Sequence, residues 1–147
     1  MLVLDGEPLT VERAKAAMSH VFVEHGCTAE EFLAAPGAQG AVGHHMGSGP
    51  IHDGEPVVVD LWPRDDASSC YADMTRTVVV GPVSEQVRAW HASVRRALEV
   101  TTAMIRPGVD CRSVFDAACE VFEADGYPTA RTKRDGEVLD QIGRAHV

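Results

Sequence analysis

Asp60 and Asp73 carry the clearest chemical signal in the sequence. Asp60 ends the apolar run Val57-Val58-Val59, and Asp73 opens the run Met74-Thr75-Arg76-Thr77-Val78-Val79-Val80. Both runs read as strands, because β-branched side chains suit a pleated, packed surface. Pro63 stops the first run, Gly81-Pro82 closes the second, and the polar stretch from Pro63 to Ser69 between them predicts an antiparallel hairpin. Its midpoint falls between Asp66 and Ala67, so a symmetric hairpin sets Asp60 opposite Asp73. Directly opposed residues on one sheet face have Cβ atoms about 4.5 to 5.5 Å apart, and like charges there are destabilising. Two half-buried carboxylates that close need a shared proton or a cation. Hard oxygen ligands suit Mn, Mg or Ca, and a bridging pair of carboxylates can hold two such ions roughly 3.5 to 4 Å apart. On pattern alone the plainer alternative stays open, in which Asp60 merely ends a strand and Asp73 opens a turn.

Other elements must position these groups. Ala14, Ala17, Met18, Val21 and Phe22 recur at helical spacing and predict a helix from about Thr10 to Glu24, with Thr10 as its cap and Gly26 as its stop. Glu30 to Ala35 fits a short strand. Pro36 to Pro50 is a loop-like run with glycines at 37, 40, 43, 47 and 49 and with His44 and His45 inside it. After the hairpin, Ser84 caps a long helix reaching Ile105, with Val87, Trp90, Val94, Ala97, Leu98, Thr101 and Met104 on one face. Pro107-Gly108 breaks it. A third helix fits Asp110 to Ala124, ending at Gly126. Trp62 and Trp90 read most simply as core aromatics, and Arg76, pointing away from Thr75 and Thr77, as a structural ion-pair partner. The fold class is α+β.

At 147 residues with 45% apolar content the chain suits one ordinary domain. A formal charge of -9 and the lack of a Lys/Arg cluster argue against nucleic acid or an anionic membrane as partner. No run reaches the roughly 18 apolar residues of a membrane helix, and Met1 to Glu12 lacks the pattern of a secretory leader. Cys27, Cys70, Cys111 and Cys119 form no CxxC pair or disulfide framework and read as reduced thiols, so a cytoplasmic location is expected.

The segments Gly54-Glu55-Pro56-Val57-Val58-Val59-Asp60 and Tyr71-Ala72-Asp73-Met74-Thr75-Arg76-Thr77-Val78-Val79-Val80-Gly81 resemble the paired signature of the pita-bread metallopeptidases. The likeness runs from about Leu9 to Thr132 and includes the Gly-rich His run and Ile105-Arg106-Pro107-Gly108. Asp73-Met74-Thr75-Arg76-Thr77 is nearer the Xaa-Pro aminopeptidase and prolidase branch, with creatinase-like relatives as the alternative. The resemblance implies a partial pita-bread fold in which an antiparallel hairpin and sheet are flanked by helices. It also implies two divalent metal ions, manganese foremost with cobalt or zinc as alternatives. Asp60 would bind one ion with both oxygens and Asp73 would bridge both ions, with water activated between them as the nucleophile on a peptide carbonyl. His44 would sit on the substrate side and contact substrate without binding metal, with His45 as its competitor by one register step. The implied substrate is a peptide with proline at its second position, and the whole protein has room to be a homodimer.

The family completes its ligand set with a later histidine and two glutamates, and nothing after Asp73 matches them. Of the two later histidines, His91 falls within the long helix, and His146 lies in Gly143-Arg144-Ala145-His146-Val147, a different context. Ile142 to Val147 also equals one frame of a common sequencing-adapter sequence. The expectation is therefore that 1–140 is the N-terminal half of a peptidase catalytic domain and 141–147 a non-native tail. A chain lacking three ligands is expected to be inactive by itself. The alternative is a non-catalytic protein-binding module on the same fold.

Overall fold

A computed structural model of the chain describes residues 1–132. His146 and the expected tail at 141–147 lie outside the described residues. Two compact units divide the chain, Met1–Val83 and Ser84–Val147.

The first unit opens with a hairpin of β1 (Val3–Leu4) and β2 (Glu7–Pro8). Its two-residue turn is Asp5-Gly6, with φ of 55° and 80°. Those angles make a type I′ turn, whose twist matches that of paired strands. α1 (Val11–Glu24) follows, with the Thr10 hydroxyl accepting from the Arg13 amide at 3.3 Å. The Arg13 guanidinium reaches back and donates to the carbonyls of Leu4, Glu7 and Pro8, tying the hairpin to the helix. α1 buries Val11 completely and packs Ala14 and Met18 into a core with Ala34, Ile51 and Val57. Phe22 meets Phe32 edge to face at 5.4 Å. Ala17 and Val21, expected on this face, are exposed. Lys15 takes the inward position instead, its ammonium 5.3 Å above the Phe32 ring, and burial lowers its pKa.

β4 (Leu33–Pro36), β5 (Pro56–Leu61) and β7 (Met74–Val79) form an antiparallel sheet in the order β4-β5-β7. β5 is central, and β4 is buried along its whole length. The expected hairpin is thus β5 and β7, and the strand expected over Glu30–Ala35 is β4, which starts three residues later and ends one residue later. Inside the connection between β5 and β7, β6 (Arg64–Asp65) pairs with β3 (Cys27–Thr28), fixing the hairpin tip beside the end of α1. All four cysteines are free thiols.

The Gly-rich run is more ordered than a plain loop. A 3-10 turn spans Gly37–Ala41. Beyond it the Met46 carbonyl accepts from the Ala34 amide, so the run lies along the outer edge of β4. Its far end is attached to the start of α1. The Val11 amide donates to the Gly49 carbonyl at 2.9 Å, and the Glu12 carboxylate accepts from the Gly49 amide at 2.9 Å.

The second unit packs α2 (Glu85–Met104), capped by Ser84 as expected, against α3 (Cys111–Ala124), where Asp110 is the cap rather than the first helical residue. α2 buries Ser93, Ala97 and Thr101, a narrow line of small residues, and α3 buries Cys119. Ser93 and Arg96 both bond to Asp125 just past the end of α3. Trp90, expected in the core, is 36% exposed, and Leu98 is more so. Small side chains let two helices approach closely, so the contact forms along the small residues and leaves the bulkier ones beside it. No helix of the described residues is long and apolar enough to cross a membrane.

Two outcomes follow. Val11→Ala removes two methyl groups from a site with no exposure and should lower stability by about 2 kcal/mol in urea unfolding. Accepting the Gly49 amide holds the Glu12 carboxyl below its ordinary pKa. A depressed carboxyl contributes above its unfolded pKa and loses that contribution as pH falls through its folded value. Hydrogen-exchange protection at Gly49 should therefore drop on acidification below the ordinary carboxylate range, and Glu12→Gln should flatten that dependence.

Candidate metal centre

Asp60 lies at the end of β5 and is 9% exposed. It faces away from the core packed under α1, because Val57 and Val59 occupy that side and alternate with Val58 and Asp60. Its Oδ1 accepts from the Thr75 hydroxyl at 2.5 Å. Among the described residues no lysine, arginine or histidine forms an ion pair with it.

The register corrects the expected pairing of the two aspartates. Asp60 stands opposite Thr75, and Leu61 opposite Met74. Hydrogen bonds from the Ala72 amide to the Pro63 carbonyl and from the Asp65 amide to the Cys70 carbonyl continue the same register to the tip. The turn is therefore centred between Ala67 and Ser68, one residue beyond the expected midpoint. Asp65 sets it there: its carboxylate accepts from the Ser68 amide at 2.7 Å and from the Ser68 hydroxyl, and the Ser69 amide donates to its carbonyl. Ser69 has φ of 60°, which lets the chain reverse. These bonds hold the Asp65 carboxyl below its ordinary pKa, the Ser68 hydroxyl contributing most.

Asp73 immediately precedes β7 and is exposed. In this register it is a diagonal neighbour of Asp60 on the same sheet face. That relation corresponds to about 7 to 8 Å between Cα atoms, within reach of a shared cation but too far for direct contact. The two carboxylates are hard oxygen donors and suit a divalent ion. Among the described residues no group of three or more His, Cys, Asp or Glu is arranged to hold a metal. These two donors therefore fit part of a coordination sphere.

His44 is exposed and adopts φ of 61°. His45 is half-buried, and its Nδ1 accepts from the Gly47 amide at 3.0 Å. That bond turns the His45 ring back into its own loop. Gly40 seats the run against β5, where a Cβ would lie 2.9 Å from Cγ2 of Val58 and 3.2 Å from the Ala35 carbonyl. Val58 shares the sheet face of Asp60, so the Gly40 end of the histidine loop is anchored on the carboxylate side. Arg76 points from the other face and donates to the Thr75 carbonyl at 2.8 Å. The expected ion pair for it is not found among the described residues.

Sequence reasoning missed two contributors. Thr75 was placed on the aspartate face, but its bond to Asp60 depends on the register. Gln39, which spans the histidine loop, gave no signal in composition or periodicity.

Known proteins share this fold. The model of metallopeptidase family M24 matches residues 7–143. A protein of Aspergillus terreus named "Probable Xaa-Pro aminopeptidase" is 34% identical over 124 residues, covering 80% of this chain and 25% of its own length. The X-Pro aminopeptidase structure from Thermotoga maritima superposes with a TM-score of 0.74 at 24% identity, over 82% of this chain and 34% of that one. Dipeptidase PepE from Mycobacterium ulcerans gives 0.72 at 28% identity, over 82% and 33%. The chain thus spans about a quarter of the matched sequence relative and about a third of these two structures. Its sheet and helices are those of the pita-bread fold, and with most of its residues matched by the family model the chain belongs to the M24 metallopeptidases.

Proposed function

We propose that this chain is the first part of the catalytic domain of a metal-dependent exopeptidase acting beside proline, as an Xaa-Pro aminopeptidase or dipeptidase. The observation that carries the reading is Asp60. A nearly buried carboxylate with a neutral hydroxyl as its bonded partner has no countercharge among the described residues, and a second carboxylate lies diagonal to it on the same face. A divalent cation supplies that charge. Asp60 and Asp73 hold the metal with donors from the rest of the protein, and manganese is the ion we favour. Bound there, the metal supplies Lewis acidity toward a peptide carbonyl and activates water.

The chain's own residues set the geometry. Thr75 fixes Asp60 by bonding one carboxylate oxygen and leaves the other for metal, in the way outer-shell partners orient ligands. His44, on the loop anchored at the same side, binds the substrate or steadies the charge that develops on its carbonyl oxygen. The substrate is a peptide with proline following its first residue.

Manganese titration calorimetry on this chain and on a longer version taken from its source gene tests the reading. The longer version should bind two ions, and Asp60→Asn or Asp73→Asn should weaken binding on the order of 100-fold. Asp66→Asn, in the hairpin tip, should leave it unchanged. Binding that survives both site substitutions would remove these residues from the ligand set. Absence of binding in either length would instead point to a fold kept for a protein partner.

A further inference from the structure

The histidine loop is closed by one side chain. Gln39 Nε2 donates to the Ser48 carbonyl at 3.0 Å, while Gln39 Oε1 accepts from the Ser48 amide at 2.9 Å. A primary amide that makes both bonds to one residue's backbone reproduces the two-way exchange of an antiparallel ladder pair. It does so between residues nine positions apart, with His44 and His45 between them. Inside the closed segment the His45 amide donates to the Val42 carbonyl at 3.1 Å and the Gly47 amide to His45 Nδ1 at 3.0 Å.

His44 needs such closure. Its φ of 61° lies in the left-handed region, which a side chain with a Cβ adopts at a steric cost and keeps only where the surroundings over-determine it. The closed segment is fixed at both ends. Gly40 rests on Val58 at one end, and at the other the Gly49 amide is held by Glu12. Between them Gly47 approaches β4 so closely that a Cβ would lie 1.8 Å from the Ala34 carbonyl oxygen.

We propose that Gln39 is a positioning residue: by clasping Ser48 it holds the His44 backbone in its left-handed conformation on the carboxylate side of the sheet. The proposal rests on the reading of His44 as a substrate-side group. Glutamine suits the task because it alone among side chains of its length offers one donor and one acceptor in a plane. Glutamate keeps the acceptor toward the Ser48 amide but sets charge against the Ser48 carbonyl, and asparagine falls one methylene short.

A double-mutant cycle in the complete protein tests this, with Q39A, H44A and the double variant compared for turnover of an Xaa-Pro peptide and for amide exchange at Gly47 and Ser48. Q39A should accelerate Ser48 exchange roughly tenfold, the scale of two exposed hydrogen bonds. It should lower kcat by a similar factor, and the double variant should be no slower than H44A, because Gln39 acts through His44. Gln39→Glu should recover part of the exchange protection. Additive losses, or unchanged turnover in Q39A while exchange accelerates, would overturn the positioning role and leave the peptidase reading standing. Unchanged turnover in H44A would overturn the role assigned to His44, and the proposal with it. Unaltered Ser48 exchange in Q39A would show that the clasp does not form in solution.

Discussion

Asp60 ends a strand of three valines, and a carboxylate there can be kept nearly dry only if hydrogen bonds or positive charge replace lost water. Much of the first unit follows from meeting that requirement. β5 must be central, so that one face buries Val57 and Val59 under α1 while the other presents Asp60 and Val58. Opposite Asp60 the sheet needs a residue that donates, and the register supplies Thr75. The second carboxylate stays one diagonal step away and exposed, where its repulsion with Asp60 is screened by water.

The same face has to receive a loop, and glycine makes that approach geometrically allowed. At Gly47 the backbone of the run touches the backbone of β4 at a distance that excludes any Cβ, with φ of 82° besides. A run that presses this closely on a buried strand needs its own polar groups satisfied, and Met46, Ser48 and Gly49 each bond to a different neighbour. Packing and hydrogen bonding therefore act together in this loop.

Period and capping made most elements legible in the sequence. Thr10 and Ser84 announced the first two helices, the stop at Gly126 marked the third, and the valine runs announced the hairpin. The register was not legible, because it depends on where Asp65 and Ser68 close the turn, a side-chain event that strand pattern does not record. The burial of α2 was legible in part: Ala97 and Thr101 of the expected face are buried, whereas Trp90 and Leu98 of that face are exposed and Ser93 is buried instead. Asp60, Asp73 and His44 are singled out by the motif they form with their neighbours. What fixes them, Thr75 and Gln39, acts through contacts between segments distant in sequence and shows only in three dimensions. The hairpin at Asp5-Gly6 was not anticipated, although the dipeptide carries a turn signal.

The turn at Asp65 to Cys70 also bears on the order in which the sheet assembles. From that short closure, each further pair between β5 and β7 is added without closing a new loop, as in a zipper. β4 must instead find β5 across the whole glycine run, whose backbone freedom is large before it docks. By this closure argument the hairpin is expected to form early and the histidine loop to order after it. Substitutions in that loop should accordingly change how fast the folded protein opens more than how fast it forms.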